Sequence, residues 1–306
     1  MNFSKLLILI LLVSAILPVS CKNRNREVTP SQKEIKMVEI PKMITDPEAI
    51  NHYAIEHFWD NFDFGDSTLI SISNQIDNHT GIYIYLLAST TPEVAVKSIS
   101  DFTTKFLRAD KILRDHFLKL IADILYDPNS QMRNEEMYIA VLETIVSSDE
   151  IDSLLKGVYD FQLELALKNR PGEKAIDFGY MDSKGRVSSL YGTKGKYTLI
   201  FFFNPGCPHC IEIKATIINS PILSQMGSTI TYLAVYSGDE YEAWTGSIDT
   251  FPANWIVSHD MGQGLDHNRI YDLRASPTMY LLDENKTVLL KDPPLFQIEN
   301  YMATNR

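Results

Sequence analysis

An apolar, β-branched run at residues 197–203 is followed at once by the sequence NPGCPHC. A continuous run of this kind is typical of a strand that is buried on both faces of a sheet. Cys207 then stands where the strand gives way to a helix, and Pro208 fits the first helical turn, in which its missing N–H has no acceptor. The chain is therefore expected to place Cys207 and Cys210 at the end of a buried strand.

Short predicted strands alternate with helices beyond Arg170-Pro171-Gly172. This alternation favours an α/β domain at residues 171–306, with a mixed sheet and helices on both faces. Pro221 is expected to kink the helix that follows the two cysteines. The predicted strands are 176–181, 186–190, 197–203, 230–236, 255–257, 278–282 and 287–290, and the predicted helices are 211–226, 241–246, 264–271 and 295–303.

Apolar residues recur at helical spacing in the stretch before Arg170. Asp46-Pro47-Glu48 and Thr91-Pro92-Glu93 are helix-start signals, because each combines a capping residue, a proline at the first helical position and an acid in the first turn. We expect four to six helices with short connections. The sequence therefore predicts an all-α domain at residues 43–169.

The chain begins MNFSKLLILILLVSAILPVSC, with one lysine before an uncharged apolar run that is too short for a comfortable membrane span. The small residues before Cys21 resemble the lipobox of bacterial lipoproteins, although Pro18 stands where that family usually has leucine. This resemblance implies cleavage before Cys21 and lipidation of its sulfur. An ordinary cleaved signal and a retained anchor are the alternatives. We assign residues 1–21 as a lipoprotein-type signal peptide and the polar residues 22–42 as a tether.

The chain has 306 residues and a formal charge of −11, which argues against nucleic-acid binding. If Cys21 carries lipid, only two of the three cysteines remain as thiols, so no further disulfide framework is possible. The remaining pair must then have a purpose of its own in an envelope compartment, where disulfides can form. We expect a periplasm-facing protein that is lipid-anchored to the membrane.

The spacing of the CPHC sequence suits dithiol chemistry. Free backbone N–H groups and the helix dipole at the start of the predicted helix favour the thiolate of Cys207. Cys210 follows one turn later, close enough to attack a mixed disulfide on Cys207, and His209 adds a donor beside the sulfur. We therefore expect Cys207 to be the nucleophile and Cys210 the resolving thiol. No organic cofactor is required, because the dithiol itself carries two electrons.

The stretch from AIDFGYMDSKGRVSSLYGTKGK to the CPHC sequence resembles the opening of the thioredoxin-like domains of the TlpA/ResA group. This resemblance covers residues 171–306 and implies a thioredoxin-like fold. Ser276-Pro277-Thr278 looks like the cis-proline loop of that fold, in which Pro277 would present the backbone of Ser276 to a substrate peptide. The residues that fit the family pattern are Ala175, Asp177, Phe178, Asp182, Gly185, Leu190, Gly195 and Lys196.

The stretch HFWDNFDFGDSTLI resembles the uncharacterised helical domain that precedes thioredoxin-like domains in Bacteroidetes envelope proteins. Two positions depart from the thioredoxin pattern. Phe201 stands where thioredoxins place a buried acid, and Gly206 replaces the tryptophan before the first cysteine. The resolving step would then depend on water or on another acid. The dipeptide Pro-His is that of strongly oxidising DsbA-like proteins, whereas TlpA/ResA proteins are mostly reductants.

Other interpretations of the cysteine pair are a structural disulfide, inert thiols or a metal site. A metal site would combine Cys207, His209 and Cys210 with His259 or His267, but neither distant histidine has a diagnostic spacing. A peroxidase is disfavoured, because peroxiredoxins carry threonine at the position of Asn204. We therefore expect neither a metal nor an organic cofactor.

These features together predict an envelope thiol–disulfide oxidoreductase that acts through Cys207 and Cys210. We expect it to reduce disulfides in proteins. Its substrate would be a protein or small-thiol disulfide, and a membrane redox partner would recycle it. The alternative is a non-catalytic binding or scaffold lipoprotein that retains a thioredoxin fold.

Overall fold

The computed structural model of the protein describes residues 33–261, residue 265 and residues 268–305. Three sequence predictions lie outside the described residues. They concern the signal peptide with Cys21, residues 22–32 of the tether, and His267. From Ile35 onward the chain forms one compact unit. None of the helices in the described ranges combines the length and the apolar character that a membrane crossing needs.

Six α-helices build the first half of this unit, within the expected four to six. Both predicted helix starts form, because the side chain of Asp46 accepts a hydrogen bond from Ala49 N at 2.8 Å and that of Thr91 accepts one from Val94 N at 3.4 Å. The helices are α1 (Pro47–His57), α2 (Ser73–Ala88), α3 (Pro92–Leu107), α4 (Lys111–Leu125), α5 (Glu135–Ser147) and α6 (Ser153–Ala166), with a 3₁₀ turn at Ser67–Ile72.

The aromatic stretch that precedes α2 forms much of the core of the helical domain. Phe58, Trp59 and Phe62 are buried there. The ring of Trp59 stacks on Phe102, with centroids 4.2 Å apart. Each such ring stabilises the fold by roughly 1.5–3 kcal/mol on burial, so this stretch belongs to the core of the helical domain.

Seven strands form one mixed sheet, in the order β2-β1-β5-β4-β3-β6-β7. The central strand β3 pairs in parallel with β4 and antiparallel with β6, and every one of its residues is buried. The apolar run therefore forms the buried central strand that the sequence predicts. The strands are β1 (Gly179–Asp182), β2 (Val187–Ser189), β3 (Tyr197–Phe202), β4 (Ile230–Tyr236), β5 (Ile256–His259), β6 (Thr278–Leu282) and β7 (Val288–Lys291).

The helix after the cysteines differs from the prediction. It begins at Pro208 and ends at Asn219, and Pro221 starts a separate helix instead of kinking a continuous one. Ser220 caps the second helix, because its hydroxyl accepts a hydrogen bond from Leu223 N at 3.2 Å. The helices of this half are α7 (Pro208–Asn219), α8 (Pro221–Ser224), α9 (Tyr241–Ser247) and α10 (Leu295–Thr304), with 3₁₀ turns at Gly227–Thr229 and Ile248–Thr250.

Helices cover one face of the sheet, where Ile217, Leu223, Trp244 and Ile298 are buried against the strands. Connecting segments contribute to the core of the other face. Its described core residues outside the strands are Ala175, Phe178, Leu190, Leu265 and Tyr271.

The predicted helix at residues 264–271 is wrong for the part that the structure describes. Leu265 and residues 268 and 269 lie in turns, residue 270 has no regular structure, and residue 271 lies in a bend. Arg269 has a left-handed backbone, with φ of 45°, which no right-handed helix can accommodate. The described core residues of the other sheet face that lie outside the strands belong to no helix.

Charged side chains join the helical half to the end of the sheet. Lys291 of β7 donates to the carbonyls of Ala166 and Lys168, at 2.8 and 2.7 Å, and lies 2.9 Å from the carboxylate of Glu135. Its side chain is only 4% exposed. The two halves therefore meet through buried polar groups at the ends of α5 and α6.

The connection between the halves is fixed by Asn169. This buried residue has a left-handed φ of 53°. Its amide donates to Ile270 O at 2.6 Å and accepts from Ile176 N at 2.8 Å. Asn169 thus ties the end of the helical half to two segments of the α/β half, at Ile176 and Ile270.

Candidate active site: the CPHC motif

The nucleophile predicted from the sequence lies at the N-terminus of α7. Cys207 is the N-cap residue, half-buried, and its sulfur accepts a hydrogen bond from Cys210 N at 3.4 Å. A free N–H at a helix N-terminus stabilises negative charge on the atom it faces. The turn that delivers Cys207 from β3 needs a left-handed residue, which Gly206 supplies with φ of +80°.

The second cysteine lies deeper than the first. Cys210 is 3% exposed, and both cysteines are free thiols. Burial raises the pKa of the Cys210 thiol to about 11, although the hydrogen-bonding groups of Asn204 and Ser276 beside it lower the pKa. Cys210 therefore remains protonated near neutral pH, whereas Cys207 is accessible to a substrate.

Ser276 contacts both sulfurs. The Cys207 thiol donates to Ser276 O at 3.5 Å, and the Cys210 thiol donates to Ser276 Oγ at 3.5 Å. The Ser276–Pro277 peptide bond is cis, as the family resemblance implies. The expected role of the Ser276 backbone fits this geometry, but the contact between its hydroxyl and Cys210 has no signal in the sequence.

His209 lies at the rim of this cluster. Its imidazole is 64% exposed and lies 3.6 Å from the carboxylate of Glu212, one turn along α7. Within the described ranges we find no hydrogen bond from His209 to either sulfur. The structure thus brings Cys207, Cys210 and Ser276 together and leaves His209 at the rim.

A cavity of about 330 Å³ lies behind the cysteines, and both Cys210 and Lys214 line it. Lys214 donates to Thr250 Oγ1 at 2.7 Å, and its ammonium group lies 4.2 Å from the ring centre of Phe251. Burial lowers the pKa of Lys214, while the charge of Cys210 raises it. The sequence analysis missed Lys214, whose position four residues after Cys210 places it on the same face of the helix.

Phe201 occupies the position at which thioredoxins carry a buried acid. Its ring is 1% exposed, stacks near Phe203 with centroids 6.2 Å apart and packs edge-on against Trp255. No carboxylate from β3 can therefore serve Cys210, and Lys214 is the ionisable side chain that lines the same cavity.

A second cleft, of about 700 Å³, lies on the other side of the motif. Its walls include His209, Ser276 and Pro277 from the α/β domain and residues 128–131 from the helical domain. The cleft reaches the motif through Ser276, whose carbonyl accepts a hydrogen bond from the Cys207 thiol.

The histidine proposed as an additional metal ligand is engaged elsewhere. His259 lies at the end of β5, where Nε2 is 2.9 Å from Gly238 O and Nδ1 accepts from Met261 N at 2.9 Å. His267 lies outside the described residues. A search of the described ranges finds no cluster of three or more His, Cys, Asp or Glu side chains that could hold a metal ion.

Known proteins match both halves of the chain. Residues 19–169 match the model of the DUF5106 family, a domain of unknown function. A crystal structure of a thioredoxin-like protein from Bacteroides caccae ATCC 43185 is 34% identical, with a TM-score of 0.86, and the match covers 90% of this chain and 99% of that one. No curated protein matches the chain.

Two shorter solved structures are also similar. One is the C-terminal domain of an uncharacterized protein from Bacteroides fragilis NCTC 9343, 38% identical over 44% of this chain and 98% of its own, with a TM-score of 0.43. The other is the thioredoxin domain of a thiol-disulfide oxidoreductase from Bacteroides vulgatus, 21% identical over 44% of this chain and 96% of its own, with a TM-score of 0.40. Because the Bacteroides caccae protein is matched along almost its whole length, the chain belongs to the thioredoxin-like proteins and carries a DUF5106 domain in its N-terminal half.

Proposed function

We propose that the protein is a thiol–disulfide oxidoreductase of the cell envelope that reduces disulfides in proteins. The observation that carries this proposal is the pairing of two unlike thiols. Cys207 is half-buried at a helix N-terminus, where its sulfur accepts an N–H, and Cys210 is buried one turn later. An accessible sulfur beside a protected one suits a two-step exchange reaction.

The first step forms a mixed disulfide. The Cys207 thiolate attacks one sulfur of the substrate disulfide, the substrate S–S bond breaks, and the released substrate thiolate takes up a proton. In the second step the Cys210 thiol loses its proton and attacks the sulfur of Cys207. The Cys207–Cys210 disulfide forms, the second substrate thiol leaves, and two electrons have passed from the protein to the substrate.

Two observations support the proposal that the protein reduces its substrate and does not oxidise it. A strong oxidant of this class has a stabilised reduced form. Such stabilisation would come from a cation beside the nucleophilic sulfur, but His209 faces Glu212, whose negative charge offsets its own when it is protonated. The resemblance of residues 171–306 to the TlpA/ResA group, whose members are mostly reductants, points the same way.

The location of the protein is part of the same proposal. The lipobox-like sequence before Cys21 supports a lipid-anchored form that faces the periplasm, and a membrane redox partner would return the pair to the dithiol state. Mass spectrometry of the mature N-terminus tests the anchor. A mature chain that begins after Cys21 without lipid would rule it out.

The reduction potential of the Cys207–Cys210 pair tests the activity. Full-length protein is equilibrated in thiol redox buffers, and the alkylated cysteines are counted by mass. A reductase should give a value of about −270 mV, and an oxidant a value of about −120 mV. Cys207→Ser should abolish exchange with a disulfide substrate, and Cys210→Ser should accumulate the mixed disulfide. A pair that does not cycle at all would favour the non-catalytic scaffold instead.

A further inference from the structure

The cleft of about 700 Å³ that is lined by His209 and Ser276 has walls from both domains. We propose that the helical domain forms the second wall of a peptide-binding cleft, and that the substrate is an extended polypeptide segment which contacts both walls. This inference rests on the proposed thiol–disulfide exchange and adds a role for the DUF5106 domain in choosing the substrate.

The two walls differ in what they offer. On the side of the α/β domain, Ser276 lies directly against both sulfurs, and the exposed ring of Phe296 extends the wall along α10. On the side of the helical domain, the connection between α4 and α5 presents the exposed amide side chains of Asn129 and Gln131. The cleft therefore runs from Ser276, which contacts the nucleophile, to a polar surface on the other domain.

Hydrogen bonds and an ion pair fix the helical wall in place. Arg133, in the same connection, donates to Asp292 O at 2.7 Å and pairs with the Asp292 carboxylate at 2.6 Å. Within the connection, Ser130 Oγ donates to Ile124 O at 2.5 Å and Asn134 N donates to Leu125 O at 3.1 Å. A wall that is held on both sides can select a ligand, because its side chains need not be ordered upon binding.

The charges of the cleft indicate the chemistry of the occupant. Arg133 pairs with Asp292, and Lys291 pairs with Glu135, so these four lining residues neutralise one another. Such a cleft does not select its ligand by net charge. Amide side chains can both donate to and accept from a peptide main chain, and the backbone at Ser276 suits strand-like pairing beside the sulfurs. An extended main chain is therefore the ligand that fits both walls.

The test follows the formation of the mixed disulfide on Cys207 in the Cys210→Ser protein. Two probes each carry one cysteine activated as a mixed disulfide with a chromogenic aromatic thiol. One probe is a tripeptide, and the other is an uncharged peptide about ten residues long, which spans roughly 30 Å when extended. The release of the chromophore gives a second-order rate constant for each probe.

A tryptophan at position 131 should obstruct the helical wall. The Cys210→Ser protein is the parent protein of this test, and both tryptophan changes are made in it. In the parent protein the long peptide should react faster than the tripeptide. Gln131→Trp should lower the ratio of the two rate constants about tenfold, which corresponds to about 1.4 kcal/mol. Asn78→Trp is the matched control, because Asn78 is an exposed amide residue of α2 that does not line the cleft, and it should leave both rate constants unchanged.

The outcomes separate the two proposals. If neither probe reacts, the proposed exchange chemistry fails, and the inference fails with it. If both probes react but the ratio is the same in the parent protein and in Gln131→Trp, the exchange chemistry stands and the role of the helical wall is overturned. A long peptide that reacts no faster than the tripeptide in the parent protein, or an equal fall in Asn78→Trp, overturns it as well.

Discussion

The ammonium group of Lys291 lies 2.9 Å from the carboxylate of Glu135, which joins the last strand of the sheet to the first turn of α5. Burial raises the pKa of Glu135, and Lys291 opposes that rise. The same ammonium group also donates to the last carbonyls of the α6 region, at Ala166 and Lys168. A single lysine therefore satisfies three acceptors at the junction of the two domains.

Lys291→Met should lower the free energy of unfolding by about 3–5 kcal/mol, because it leaves a carboxylate and two carbonyls without their donor. Lys111→Met is the control, since Lys111 forms an exposed pair with Asp115 that should contribute no more than about 1 kcal/mol. Urea denaturation measures both variants. Equal losses in the two would show that the buried contacts of Lys291 do not stabilise the junction.

The stability of the reduced protein should depend on pH through Cys210. The pKa of this thiol is about 11 in the folded protein and near 9.0 in an unfolded chain. Between these values the unfolded state has lost a proton that the folded state keeps. The free energy of unfolding should therefore fall as the pH rises from about 9 towards 11.

The Cys210→Ala variant isolates this contribution, because all other titrating groups remain. Urea denaturation across this pH range should give a shallower decline for the variant than for the parent protein. Parallel declines in the two proteins would mean that the folded protein does not hold the proton on Cys210.

Lys214→Met should slow the attack of Cys210 on the mixed disulfide. The ammonium group shares a cavity with Cys210 and favours its thiolate electrostatically. We expect a reduction of roughly three- to tenfold in the rate of the resolving step, and Lys214→Arg should restore most of it. Quenched-flow measurement of chromophore-labelled mixed disulfides gives this rate.

Lys184→Met serves as the control for Lys214, because Lys184 is an exposed lysine in the turn between β1 and β2. This control should resolve the mixed disulfide at the parental rate. If Lys214→Met also does so, the charge of Lys214 does not assist the resolving step.

Gly206→Ala should destabilise the protein through the backbone alone. A Cβ at Gly206 would meet nothing within 4 Å, but the φ of +80° is unfavourable for alanine, which costs about 1–2 kcal/mol. Gly81→Ala is the matched variant, because a Cβ there also meets nothing within 4 Å and Gly81 lies inside α2.

The change at Gly81 should raise the free energy of unfolding by roughly 0.5–1 kcal/mol, since alanine is the better helix former. Thermal or urea denaturation compares the two variants with the parent protein. Opposite signs are expected, and a stabilised Gly206→Ala protein would contradict the assigned conformation of this turn.

The sequence predicts the buried elements of the fold well. Strands β4 and β6 have the predicted bounds, and β3 differs from its prediction by its last residue. Continuous apolar runs specify such strands locally, without reference to distant residues. The cysteine pair and the cis-proline are likewise identifiable, because each depends on a short motif.

The remaining features depend on contacts between distant residues. The Cys210 thiol contacts the hydroxyl of Ser276, 66 positions later in the chain. Lys214 is the ionisable group in the cavity of Cys210 because Phe201 stands at the position where thioredoxins carry a buried acid. The false helix at residues 264–271 has helical periodicity, but the backbone at Arg269 is left-handed. The proposed lipid anchor at Cys21 stays a prediction, since it lies outside the described residues.

Arg133 and Asp292, whose contacts hold the wall of the cleft, are 159 positions apart in the chain. During translation the DUF5106 domain and the CPHC motif both leave the ribosome before β7 exists. A nascent chain that already carries Cys207 thus still lacks the partner for Arg133, and its thiols can meet any disulfide nearby. The selectivity that we assign to the cleft is therefore a property that the protein acquires late in its own biosynthesis.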